Sequence, residues 1–128
     1  MERVLPGPIT SAALGLESPD SEIDSAVAGF LKRHPAVTAS KVTEPASLAK
    51  RIVDDLARGN VVGLRRGRAE YGPRALGQAS ILADPRSAHM HERVNTYKRR
   101  EPFRPYAPSV LTEHVTDYFE TNTPSPFM

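Results

Sequence analysis

Arginine presents five N–H donors in a rigid planar fork that matches the oxygens of a phosphate, whereas lysine offers a mobile point charge. This chain concentrates both in one stretch, Leu64 to Leu111. Between Arg65 and Arg104, forty residues hold ten bases (Arg65, Arg66, Arg68, Arg74, Arg86, Arg93, Lys98, Arg99, Arg100, Arg104) against four acids (Glu70, Asp84, Glu92, Glu101), a net of +6. The rest holds seven bases and eleven acids, a net of −4, so the overall +2 conceals a polarised molecule. A positive field of this kind attracts anions: phosphate, nucleotide, nucleic acid or membrane surface. Turns at Tyr-Gly-Pro-Arg, Asp-Pro-Arg, Glu-Pro-Phe-Arg-Pro and Ala-Pro-Ser punctuate the stretch. Pro and Gly fix the backbone at such turns. The arginines are therefore held at set angles, which reads as a built anion site rather than a solvated basic surface.

Two clusters stand out. Arg68 and Arg74 flank Glu70-Tyr71-Gly72-Pro73, so a turn there can bring both guanidinium groups to one side. Glu70 either orients one of them, holds a magnesium ion, or forms a salt bridge within the loop. Ser80 either donates to a phosphate from a strand end or is a satisfied core hydroxyl. Asn95, Lys98 and Arg100, followed by Arg104, form the second cluster. Asn95 either reads a base or ribose or caps the end of a helix. Arg65, Arg66 and Arg99 read as solvated. There is no G-x-x-x-x-G-K-[ST] loop and no G-x-G-x-x-G, so nucleotide binding here needs an uncommon motif. The four histidines are scattered. On a helix the rings of His89 and His91 lie about 200° apart, a poor chelate.

The elements that must position these residues follow from periodicity and punctuation. Residues 1–17 read as an extended lead-in. A helix is expected from Asp20, capped by Ser18 or Asp20 and stopped by Pro35, with Ile23, Val27, Phe30 and Leu31 on one face. Thr43 caps a second helix, Glu44 to Arg58, with Leu48, Ile52 and Leu56 repeating every fourth residue and Gly59 as its left-handed terminator. Strands are expected at Val61–Leu64, Ser80–Ala83 and Tyr106–Leu111. Helices are expected at Ser87–Asn95 and at Glu113–Phe119, the latter with Val115, Tyr118 and Phe119 inward. Tyr97–Pro105 reads as a loop. The 128 residues suit one domain or part of one. With no Cys there is neither a disulfide framework nor a thiolate site, which fits a cytoplasmic location. No run approaches the roughly 18 apolar residues of a membrane span, and the start lacks a secretory h-region.

At Gly67-Arg-Ala-Glu-Tyr-Gly-Pro-Arg-Ala-Leu-Gly77, Ser80-Ile-Leu-Ala-Asp-Pro-Arg86, Val94-Asn95-x-x-Lys98 and Arg100-Glu-Pro-Phe-Arg-Pro-Tyr-Ala-Pro-Ser-Val-Leu111, the chain resembles the C-terminal (YrdC/Sua5-like) domain of the NodU/CmcH-type O-carbamoyltransferases. The likeness is tight from Val61 to Phe119 and looser over Glu44–Arg58 and the tail. It implies an α+β fold: a YrdC-like mixed twisted sheet with flanking helices, incomplete here as a piece of a larger two-domain enzyme. Residues 1–42 would be a lead-in and peripheral helix linking to a Kae1-like N-terminal domain. Residues 43–128 would be the N-terminal part of the YrdC-like domain.

The resemblance also implies chemistry. The YrdC-like domain would bind ATP and carbamoyl phosphate, with Mg2+, and form carbamoyl-adenylate. A Kae1-like domain, in cis or in trans and holding the family's transition metal, would then pass the carbamoyl group to a hydroxyl of a natural product or sugar. Arg68, Glu70, Arg74, Ser80, Asn95, Lys98, Arg100 and Arg104 fall on the family's motif positions; no catalytic residue and no metal ligand is assigned. Two departures stand out: Leu64-Arg65-Arg66 replaces an aromatic pair and Gln, and Ala79 replaces an Arg. Because the resemblance assigns transfer to the Kae1-like domain, and the four His offer no convincing metal set, the isolated chain is expected to be inactive in transfer. The rival readings are an RNA-binding YrdC-like module and a non-catalytic remnant. Neither a membrane nor a nucleic acid is the expected partner.

Overall fold

In the computed structural model, residues 10–121, 123 and 125–127 are described. Acids in the first turn and bases in the last complement the dipole of α1, Asp20–Arg33. Its N-cap is Pro19, whose carbonyl accepts from the amides of Glu22 and Ile23; neither Ser18 nor Asp20 caps by its side chain. Helix α2, Pro45–Ala57, begins with Pro in its first turn, and its N-cap is Glu44 rather than Thr43. It ends as the sequence leads one to expect. Gly59 takes φ +79°, its amide donates to Leu56 O, and the amide of Asn60 donates to Asp55 O. Those two bonds are the paired closure of a helix that turns left-handed at its end.

Strands β1, Val62–Arg65, and β2, Ala79–Leu82, pair antiparallel with Val62 opposite Leu82 and Arg65 opposite Ala79. Each begins within one residue of its expected position. The loop 66–78 between them carries the first basic cluster. The extended lead-in docks on that loop through its described residues. Gly15 N donates to Ala69 O at 2.9 Å, Tyr71 N to Ala12 O at 2.7 Å, and Ala69 N to Leu16 O at 3.4 Å. Gly15 is required there, since a Cβ would sit 2.8 Å from Ala69 Cβ.

Helix α3, Met90–Lys98, starts three residues later than the sequence suggests and takes in Tyr97 and Lys98. Arg99 then adopts φ 49° and reverses the chain. Tyr106–Leu111 is not a strand: among the described residues it has no ladder partner, and the sheet is β1–β2 alone. The final helical turns are a 3₁₀ turn, Thr112–His114, and α4, Val115–Tyr118. Val115 is half-buried as expected, but Tyr118 and Phe119 are exposed. The class is α+β: four helices and a two-stranded antiparallel sheet among the described residues. Only Met90, Val94 and Asn95 are buried among them, so the densest packing lies under α3.

Candidate anion site

The loop after β1 is shaped by one carboxylate. Oε1 of Glu70 accepts from the amides of Leu76 (2.8 Å), Gln78 (2.7 Å) and Ala79 (3.0 Å). These donors, Leu76 above all, outweigh partial desolvation and hold the carboxyl down at about 2. Glu70 thus neither bridges to an arginine nor presents a free ligand pair; it staples the turn. Ser80 closes the same turn, its Oγ accepting from Gly77 N at 3.0 Å. Arg68 reaches back to the lead-in, with Nε 2.8 Å from Gly15 O and Nη2 3.3 Å from Leu14 O. Arg74 is exposed at the tip of the loop and makes no hydrogen bond or ion pair with any described residue. A cleft of about 230 Å³ lies between this loop and the lead-in, and Glu70 is the only candidate residue that lines it.

The second cluster is built on α3. His91, Asn95 and Lys98 follow at i, i+4 and i+7, so they share one face. The chain after Arg99 folds back over that face. Asn95, 3% exposed, donates from Nδ2 to Pro102 O at 3.3 Å and accepts from the Tyr106 hydroxyl on Oδ1. The Nε2 of His91 lies 2.7 Å from Arg104 O. A carbonyl only accepts, so at this shorter distance that nitrogen donates to it rather than accepting from Asn95 Nδ2, 3.3 Å away. The ring of Tyr106 meets His91 edge-on at 5.6 Å. Two cations sit by it, Arg100 Cζ at 5.0 Å from the centroid and Lys98 Nζ at 5.6 Å. Arg100 donates weakly to Pro105 O at 3.5 Å, while its shielded Nε has no acceptor among the described residues. Arg104 lies 3.5 Å from Glu101.

The eight candidate residues therefore form two assemblies, Arg68, Glu70, Arg74 and Ser80 on the β1–β2 loop and Asn95, Lys98, Arg100 and Arg104 around the end of α3. No hydrogen bond or ion pair among the described residues joins them. Asn95 neither caps the helix end by its side chain nor faces outward; it anchors the returning loop. Sequence reasoning missed His91 and Tyr106 as parts of this arrangement. The i, i+4 spacing of His91 and Asn95 was the available signal, but the fold-back that gives it meaning is tertiary. A larger groove of about 490 Å³, lined by Asp55, Asn60, Val61, Val62, Arg93 and Tyr97, contains none of the candidates. Among the described residues no three His, Asp or Glu side chains could together hold a metal ion. No helix among them is long and apolar enough to cross a membrane.

Comparison with known proteins matches residues 53–128 to the family model described as Carbamoyltransferase C-terminus. An uncharacterized protein of Synechocystis sp. is 44% identical over 125 residues, which are 96% of this chain and 20% of that protein. Nodulation protein NolO of Bradyrhizobium diazoefficiens is 50% identical over 74 residues, 57% of this chain and 14% of the relative. Nodulation protein U of Sinorhizobium fredii is 40% identical over 99 residues, 73% of this chain and 18% of the relative. The chain spans a fifth or less of the length of these relatives. The matched segment contains the whole basic stretch and both of its clusters, and by that match the chain belongs to the carbamoyltransferase C-terminus family.

Proposed function

We propose that this chain serves a carbamoyltransferase by binding ATP and carbamoyl phosphate and joining the carbamoyl group to AMP. The observation that carries this reading is the paired arrangement of Lys98 and Arg100 on the Tyr106 ring, with a guanidinium Nε that no described residue satisfies. Lys98, which is exposed, and Arg100, which is half-buried, both carry donors that an anion can satisfy. Family membership makes a phosphorylated carbamoyl donor and a nucleotide the fitting anions. In balance, carbamoyl phosphate, ATP and water give carbamoyl-adenylate, pyrophosphate and phosphate. A hydroxyl of a natural product or sugar then attacks the carbamoyl carbon and AMP leaves. The basic groups position the phosphates and stabilise charge on the leaving oxygens, which is most of what phosphoryl chemistry asks of a protein. A Kae1-like domain, in cis or in trans, would host the second step.

Magnesium would accompany the nucleotide phosphates. Glu70 does not fit as its ligand, because its Oε1 already accepts three amide hydrogens and it belongs to no group of three candidate ligands among the described residues.

Calorimetric titration of ATP, with carbamoyl phosphate present and absent, tests the reading. Each charge-assisted phosphate contact is worth roughly 1.5–3 kcal/mol, so Arg74→Ala and Lys98→Ala should each weaken binding about ten-fold or more. Arg99→Ala, on an exposed residue, should change it little. Equal losses in all three variants that vanish at high salt would mark a diffuse basic surface, and would favour the RNA-binding alternative.

A further inference from the structure

The cation pair does not hold itself in place. Two positive groups beside one ring repel each other, and Lys98 is exposed, so nothing about α3 alone keeps them together. We propose that Tyr106 and His91 are positioning residues for the anion site: Tyr106 is the platform that orients Lys98 and Arg100, and His91 fixes the backbone that carries the platform. This inference rests on the anion-site reading above and deepens it.

The geometry supports each role separately. The electron-rich face of Tyr106 attracts both cations, and it restricts the guanidinium plane so that its remaining donors point to a defined region. The tyrosine hydroxyl is spent on buried Asn95 Oδ1, which fixes the ring's far end. His91 donates to Arg104 O two residues upstream, and its edge packs against the ring. Asn95 ties Pro102 O between them. Three alternate carbonyl or side-chain groups of the loop, at 102, 104 and 106, are thus fastened to one helix face. The amide of Arg100 joins them by donating to Asn95 O at 3.0 Å. Neither Tyr106 nor His91 needs to touch the anion; both act through the cations they place.

The test uses the 128-residue chain, with ATP as the probe, and follows both affinity and the proton chemical shifts of Arg100. The ring current of Tyr106 should move the Arg100 Hδ and Hε resonances from their ordinary positions. Tyr106→Phe keeps the ring and loses one neutral hydrogen bond, so affinity should fall roughly five-fold with the shifts largely retained. Tyr106→Leu removes the platform; affinity should fall roughly ten-fold or more and the shifts should collapse. His91→Ala should weaken binding several-fold, and His91→Gln, whose amide nitrogen can reach the same carbonyl, should restore much of it. A thermal melt of each variant separates loss of position from loss of folding, and the Phe and Gln variants keep the test alive where the others unfold. If Lys98→Ala and Arg100→Ala abolish binding while Tyr106→Leu and His91→Ala leave it intact, the positioning proposal is wrong and the anion site stands. If Lys98→Ala and Arg100→Ala change nothing, the anion-site reading itself fails. Failure of Gln to rescue His91→Ala would remove the role given to His91.

Discussion

Glu70 and Asp84 show at residue scale how much of this stretch is internal bracing. The amides gathered on Glu70 hold its carboxyl at about 2, and Arg86, by side chain and amide, does the same for Asp84. Both groups bind protons more weakly in the folded chain than in the unfolded one, so their contribution is complete above their ordinary values of 4.5 and 3.8. It is lost as pH falls towards about 2. Thermal melts should therefore be flat above about pH 5 and decline below it. Glu70→Gln should flatten part of that decline; an unchanged acid limb in this variant would show that Glu70 does not brace the loop. Asn95→Ala removes the partner of the half-buried Tyr106 hydroxyl and of Pro102 O on an exposed residue, at a cost of about 1 kcal/mol in denaturant unfolding. A neutral result there would mean that the loop finds other partners.

Among the elements, the lead-in and the end of α2 make the sharpest claims. At Gly15→Ala the new methyl meets Ala69 Cβ and O at 2.8 and 2.9 Å, and neither can swing away. Hydrogen exchange at the Tyr71 amide should quicken, while exchange in β1 should not. Protection that survives at Tyr71 would show that the lead-in bends without letting go. Gly59 differs, because a Cβ there meets nothing and the whole cost is its φ of +79°. Gly59→Ala should destabilise by about 1–2 kcal/mol and Gly59→Asn by less, since Asn tolerates the left-handed region. Equal losses would point to packing that the backbone geometry does not reveal.

The whole molecule is far more open than its mass would suggest. A compact monomer of 14.0 kDa exposes about 6,700 Å², whereas this chain exposes 11246 Å². Ile23, Val27 and Phe30 of α1, with Leu48 and Val53 of α2, are among the large apolar side chains left at least two-fifths exposed. Ile23, Val27 and Phe30 lie on the face that helical spacing marks in α1, and Leu48 on that of α2, yet these side chains stay exposed. The chain should accordingly bind a hydrophobic dye when folded and unfold over a broad denaturant range with a low m-value. A sharp, reversible transition with the m-value of a compact protein this size would contradict the openness seen here.

Sequence alone determined the positions of α1, α2 and both strands, and the family, whose resemblance carried the α+β class, because each rests on local signals. Those signals are helical repeats, a Gly terminator, short apolar runs and a motif written in adjacent residues. It also singled out the two basic clusters. Only the tertiary structure decided what each polar side chain does within them. Glu70 finds its donors six to nine residues away, Arg68 finds carbonyls more than fifty residues away, and Asn95 finds its partners across a chain reversal at Arg99. Tyr106–Leu111 carried the residue types of a strand, but a strand needs a neighbour to bond, and none among the described residues comes alongside. Propensity is local, whereas hydrogen-bond partnership is settled by where the rest of the chain lies.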